Sequence, residues 1–88
     1  MRVSVWKSDP GYPAYVQALS QGYDYAVGLN GIRVERYITA DDMTGEVVAP
    51  VLDHHGLPQN DPVHPGQLWQ ETRRGLVTIT RRWRASED

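Results

Sequence analysis

The dipeptide Asn30-Gly31 constrains this fold more than any other feature of the chain. It separates Tyr23 to Leu29 from Ile32 to Ala40, and both stretches read as strands. Asn and Gly tolerate the two positive φ angles of a type I′ turn, whose twist matches that of the strands it joins. A hairpin is therefore expected, and with it an antiparallel sheet. In the second stretch Ile32 and Val34 alternate with Arg33 and Glu35, but the pattern falters at Arg36-Tyr37. A charge at a core-side position marks a bulge there or the margin of the sheet.

Other segments extend the pattern. Arg2 to Lys7 (RVSVWK) alternates and is β-branched, and SDPGYP ends it because two prolines and a glycine cannot continue a ladder. Pro13 suits a first helical position, Tyr12, Tyr15, Val16 and Leu19 recur at spacings of three and four, and Gly22 is a stop. One short helix over about 13–21 follows, which needs a sheet to pack against. Asp41 to Gly45 is a turn of side chains that bond their own backbone. Glu46 to Leu52 returns as a strand, with Pro50 placing it at an edge or an end. Gly75 to Trp83 alternates Val77, Ile79 and Trp83 with Thr78, Thr80 and Arg82, and Leu68 and Trp69 lie where they could pair or pack. The expected architecture is α+β: mainly an antiparallel sheet of about five strands with one short helix on a face, in a single domain over 1–84, with 85–88 a frayed tail.

At 88 residues the chain holds one core and buries about 60–65% of its unfolded surface. Hydrophobic residues make up 40%, a globular composition. The absence of cysteine removes disulfides, thiolate metal sites and thiol catalysis, and fits a cytoplasmic location. No apolar run reaches the ~18 residues of a membrane helix, and the first residues lack a signal-peptide core. The net charge of −2 gives the whole molecule no attraction for nucleic acid.

The segment Val51 to Gly66 (VLDHHGLPQNDPVHPG) contains all three histidines and raises the question of a metal centre. Asp53, His54, His55, Asp61 and His64 are the ligand types available without cysteine. Adjacent histidines on a strand point to opposite faces, however, and Pro62 and Pro65 forbid a helix that would space two ligands one turn apart. The letters DHH resemble the signature of a phosphoesterase family, whose further aspartate motifs are absent here. VLDHHGLP is also similar to the start of an HNH nuclease core, but the helix that core needs is blocked by the prolines. Turn chemistry accounts for more of the segment. Asp53 and Gly56 suit the first and fourth positions of a β-turn, leaving His54 and His55 as exposed corners. The expectation is a connection between strands, with no metal, no cofactor and no catalytic residues.

Two further constellations suit binding. Tyr12, Tyr15, Tyr23 and Tyr25 flank the helix and second strand, and phenylalanine is absent, so every aromatic carries a polar handle. Arg73, Arg74, Arg81, Arg82 and Arg84 crowd the C-terminal region around Trp83. Arginine beside an aromatic can stack bases and hold phosphates, or pair with acids on neighbouring strands.

GIRVERYITADDMTGEVVAPVLDHHGLP, followed by ETRRGLVTI, resembles small uncharacterised proteins of bacteriophages and prophages, with their acidic TGEV turn, Asp-x-x-Gly-x-Pro turn and Arg-Gly-x-Val-x-Ile strand. The likeness spans Gly31 to Ile79. It implies a cytoplasmic mobile-element protein, of a kind that includes inhibitors of host defence complexes, anti-CRISPR proteins among them. The function expected is a non-catalytic protein-binding module that inhibits a host complex by occlusion, monomeric or an edge-strand dimer. Its contact residues would be Tyr12, Tyr15, Tyr23, Asp41, Asp42, Glu46, Trp69 and Trp83. The alternatives are a nucleic-acid binder using the five C-terminal arginines, and a metal-dependent hydrolase or nuclease centred on His54, His55 and His64.

Overall fold

The computed structural model describes residues 1–84, so the expected tail at 85–88 lies outside the described residues. The elements are β1 (Arg2–Ser4), α1 (Tyr12–Ser20), β2 (Tyr23–Leu29), β3 (Ile32–Val34), β4 (Thr39–Asp41), β5 (Glu46–Pro50), β6 (Gln70–Arg74) and β7 (Val77–Trp83). They form two antiparallel sheets, ordered β1-β4-β5-β6 and β3-β2-β7. The class is α+β as expected, but a single sheet of about five strands is replaced by two sheets holding seven strands.

The cause of that correction lies where the alternation falters. Ile32 to Ala40 is not one strand. β3 leaves β2 after Val34, and the chain crosses through Glu35–Ile38 to enter the other sheet as β4. Arg36 is exposed at the crossing while Tyr37 turns inward. The first strand is likewise shorter than expected. The Ser4 hydroxyl accepts the Trp6 amide at 3.1 Å and bonds Thr39 Oγ1 at 2.8 Å, bending the chain away from the ladder.

The core lies between the sheets. Val3, Ala40 and Val47 from the first meet Val27 and Val77 from the second, with Tyr15, Tyr25, Leu29, Val34, Tyr37 and Ile79 packed around them. These central side chains are small, and half-buried tyrosines extend the packing around them.

α1 begins after Asp9. The Asp9 carboxylate accepts the Gly11 amide at 2.7 Å and takes both the Nε and an Nη of Arg2 at 2.8 Å. The third Arg2 nitrogen, the other Nη, reaches Asp41 at 3.4 Å. One guanidinium thus ties the helix start to the end of β4. Gly22 stops the helix with a φ of 85°.

At the opposite end three turns converge. Asn30 and Gly31 both have positive φ (53° and 81°), as a type I′ turn demands. The Asn30 side chain accepts the Leu76 amide at 2.9 Å. Gly75 donates to the Gly45 carbonyl at 2.9 Å. A Cβ on Gly45 would lie 2.6 Å from the Gly75 carbonyl oxygen, and one on Gly75 would lie 2.5 Å from the Asn30 amide. Bare backbone at both positions lets the chain pass from β6 in one sheet to β7 in the other.

Candidate functional site

The histidine segment is an excursion of turns between β5 and β6, crossed by two isolated bridges, Leu52 to Pro58 and Asn60 to Leu68. Gly56 N–H bonds the Asp53 carbonyl at 2.9 Å, closing the β-turn that the sequence implied. The Asp53 carboxylate accepts the His55 and Leu57 amides at 2.8 and 3.0 Å. Asp61 does the same for Val63 and His64 at 2.8 and 3.2 Å. Those amide bonds hold the Asp61 carboxyl below its ordinary range. Both aspartates are therefore engaged with backbone. His54 and His55 stack on one exposed corner, ring centres 4.0 Å apart, while His64 faces Asp61 on the other turn. Among the described residues no three histidine, aspartate or glutamate side chains converge on a common point. Trp69 pairs its backbone with Val51 and Gln59. Its side chain remains partly exposed, as do those of Leu52, Leu57 and Leu68 on the same excursion.

The acidic group expected at the surface is largely occupied. Asp41 is buried. Burial raises its pKa, but the Met43 and Thr44 amides and Arg2 outweigh that and hold it below the ordinary value. Its carboxylate is engaged in fixing a turn, which leaves little of it exposed. Asp42 pairs with the terminal amine, and Glu46 with Arg74 at 2.8 Å.

The C-terminal arginines also divide. Arg73 meets Glu71, Arg74 meets Glu46, and Arg82 makes two bonds to Asp24, at 3.0 and 3.1 Å. That last pair holds the Asp24 carboxyl down, chiefly through the Arg82 hydrogen bond. The register pairs Tyr23 with Trp83 and Tyr25 with Arg81, so these four share one face of the β2–β7 ribbon. Arg81 stands 4.3 Å over the Tyr23 ring, and Trp83 meets that ring edge-on with centres 5.0 Å apart. The Trp83 ring also lies against Gly22, where a Cβ would come within 3.2 Å of it. Trp83 is nevertheless 57% exposed. The expected contact residues Tyr23 and Trp83 are thus brought together. Tyr12 and Tyr15 sit on α1 with ring centres 6.4 Å apart, Tyr15 facing the core. The sequence reading placed Arg81 among phosphate-binding candidates and missed its stacking on Tyr23, a cross-strand diagonal visible only once the β2–β7 register is known.

No family model, curated protein or solved structure matches the chain. Among the described residues no helix is long and apolar enough to cross a membrane.

Proposed function

We propose that the protein is a non-catalytic binding module that occupies a surface on a partner protein. The observation that carries this reading is the Tyr23–Arg81–Trp83 cluster. Tryptophan, tyrosine and arginine dominate the binding energy of protein interfaces. Here they are already stacked on each other and on Gly22, so docking would cost them little rotamer freedom. The resemblance to phage proteins suggests a host complex as the partner and occlusion as the mechanism, with an anti-CRISPR inhibitor as one specific form. The nucleic-acid alternative has less to draw on. Arg73, Arg74 and Arg82 already pair with carboxylates, which lowers the charge available to phosphates.

The test is co-purification of the tagged protein from a bacterial host, repeated with Trp83→Ala. The wild type should retain a stoichiometric partner. The variant should lose it, with affinity falling at least about tenfold as expected for a central aromatic anchor, while its circular dichroism stays unchanged. A partner held equally well by the variant would remove the cluster from the interface.

A further inference from the structure

A second surface lies around the edge of the β2–β7 ribbon. β3 pairs with β2 only from Val27 to Leu29, so among the described residues the same edge of β2 has no strand beside it from Tyr23 to Ala26. Alternation turns the Tyr23 and Tyr25 peptide groups toward that edge, because the Val27 groups there meet Val34. The Tyr37 hydroxyl donates to the Tyr25 carbonyl at 3.3 Å. Burial, then the neighbouring Tyr15, pushes the Tyr37 phenol up to about 12.

A cleft of about 400 Å³ opens over this edge, walled by Tyr15 and Leu19 of α1 and by Val34 to Ile38. A hollow of about 310 Å³ adjoins it, and Arg33 to Arg36 and Pro50 line both. The two make one groove beside the crossing between the sheets. Its arginines are Arg33, Arg36, Arg73, Arg82 and Arg84. Its carboxylates are Asp24, Glu35 and Glu71, bonded to Arg82, Arg33 and Arg73 at 3.0, 3.5 and 2.9 Å. Arg36 and Arg84 have no carboxylate within ion-pair distance among the described residues.

We propose that this groove binds an extended acidic peptide segment of a partner protein. Carboxylates of the segment meet Arg36 and Arg84, and its backbone meets the edge of β2 through the Tyr25 amide, the Tyr25 carbonyl being held by Tyr37. Three features select this occupant. The groove flanks the edge of β2 at Tyr25, which has no strand beside it among the described residues, the setting for strand addition. Val34, Ile38, Leu19 and Pro50 offer apolar wall between the charges, which suits side chains lying between the acids. Arg36 and Arg84, which have no carboxylate partner among the described residues, supply the positive charge that acidic side chains of the segment would meet. The inference rests on the reading of the chain as a binding module but on residues other than Tyr23, Arg81 and Trp83.

The experiment is an NMR titration of the full chain with a blocked seven-residue peptide alternating aspartate and valine. Its asparagine–valine counterpart and heptathymidylate serve as competitors. The aspartate peptide should shift the Tyr25, Arg36 and Tyr37 amides saturably. Arg36→Gln with Arg84→Gln should weaken it at least tenfold, with both sites exposed and the fold undisturbed, while Trp83→Ala should leave it unchanged. Equal binding of the asparagine peptide, tighter binding of heptathymidylate, shifts elsewhere or no saturation at millimolar peptide would each overturn the assignment. Loss of the cellular partner on Trp83→Ala without peptide binding would sink the groove and spare the cluster, and the reverse pattern would do the opposite.

Discussion

Replacing Gly45 by alanine tests the junction where the sheets are joined. Gly45 has a φ of 74°, and its new Cβ would stand 2.6 Å from the Gly75 carbonyl oxygen. The left-handed conformation costs a side chain about 1–2 kcal/mol. Relieving the overlap means moving backbone, at about 1–3 kcal/mol by analogy with overpacked cores. The Gly75-to-Gly45 hydrogen bond is strained in the process. Gly31→Ala is the matched control, because Gly31 has a φ of 81° but nothing within 4 Å of its added Cβ. Both variants gain the same lowering of unfolded-chain entropy, so it cancels in the comparison. Gly31→Ala should cost about 1–2 kcal/mol and Gly45→Ala about 2–5 kcal/mol. At roughly 4–8 °C per kcal/mol for a domain of this size, thermal melts should separate the two by at least about 5 °C. Urea midpoints should rank them alike with unchanged slopes. Equal destabilisation, within about 0.5 kcal/mol, would refute the argument that close backbone approach at Gly45 holds the junction.

Two other outcomes follow from the ion pairs. Arg2→Met should destabilise by about 1–2 kcal/mol, because Asp9 and Asp41 keep little solvent of their own once the guanidinium is gone, while the partial exposure of Arg2 limits the loss; a denaturation midpoint equal to that of the wild type would contradict it. Asp9, Asp24 and Asp41 are all held below the ordinary carboxylate pKa, Asp9 chiefly by its Arg2 hydrogen bonds. Their contribution is therefore complete above about pH 4 and lost as pH falls through the depressed native values. The raised Tyr37 works from the other side, its contribution declining between about pH 10 and 12. Melting temperature should be level between these limits and fall outside them, and a plateau continuing to pH 2 would remove the carboxylates from the account.

Local chemistry was legible in the sequence wherever one residue type has one backbone use. Asn30-Gly31, Gly22 and the Asp53–Gly56 turn appear where those residues require them. β2 spans Tyr23 to Leu29, the stretch expected before the Asn30-Gly31 turn. β6 was missed because QETRR is exposed along its whole length and so carries no apolar period. It is a strand through its partner β5. The division into two sheets was signalled by Arg36-Tyr37 but not decided by it, since a bulge, a margin and a crossing interrupt the pattern alike. The candidate site followed the same rule. Tyr23 and Trp83 were named from residue type, but stacking with Arg81 depends on a pairing of segments about fifty residues apart.

That pairing also sets a timetable. Tyr23 to Leu29 must wait for Val77 to Trp83 before its longest ladder can form. On the ribosome, the hairpin made with Ile32 to Val34 emerges early and holds a bare flank until nearly the whole domain has been synthesised. Contacts so distant along the chain make folding slow and leave the nascent edge open to capture by other chains.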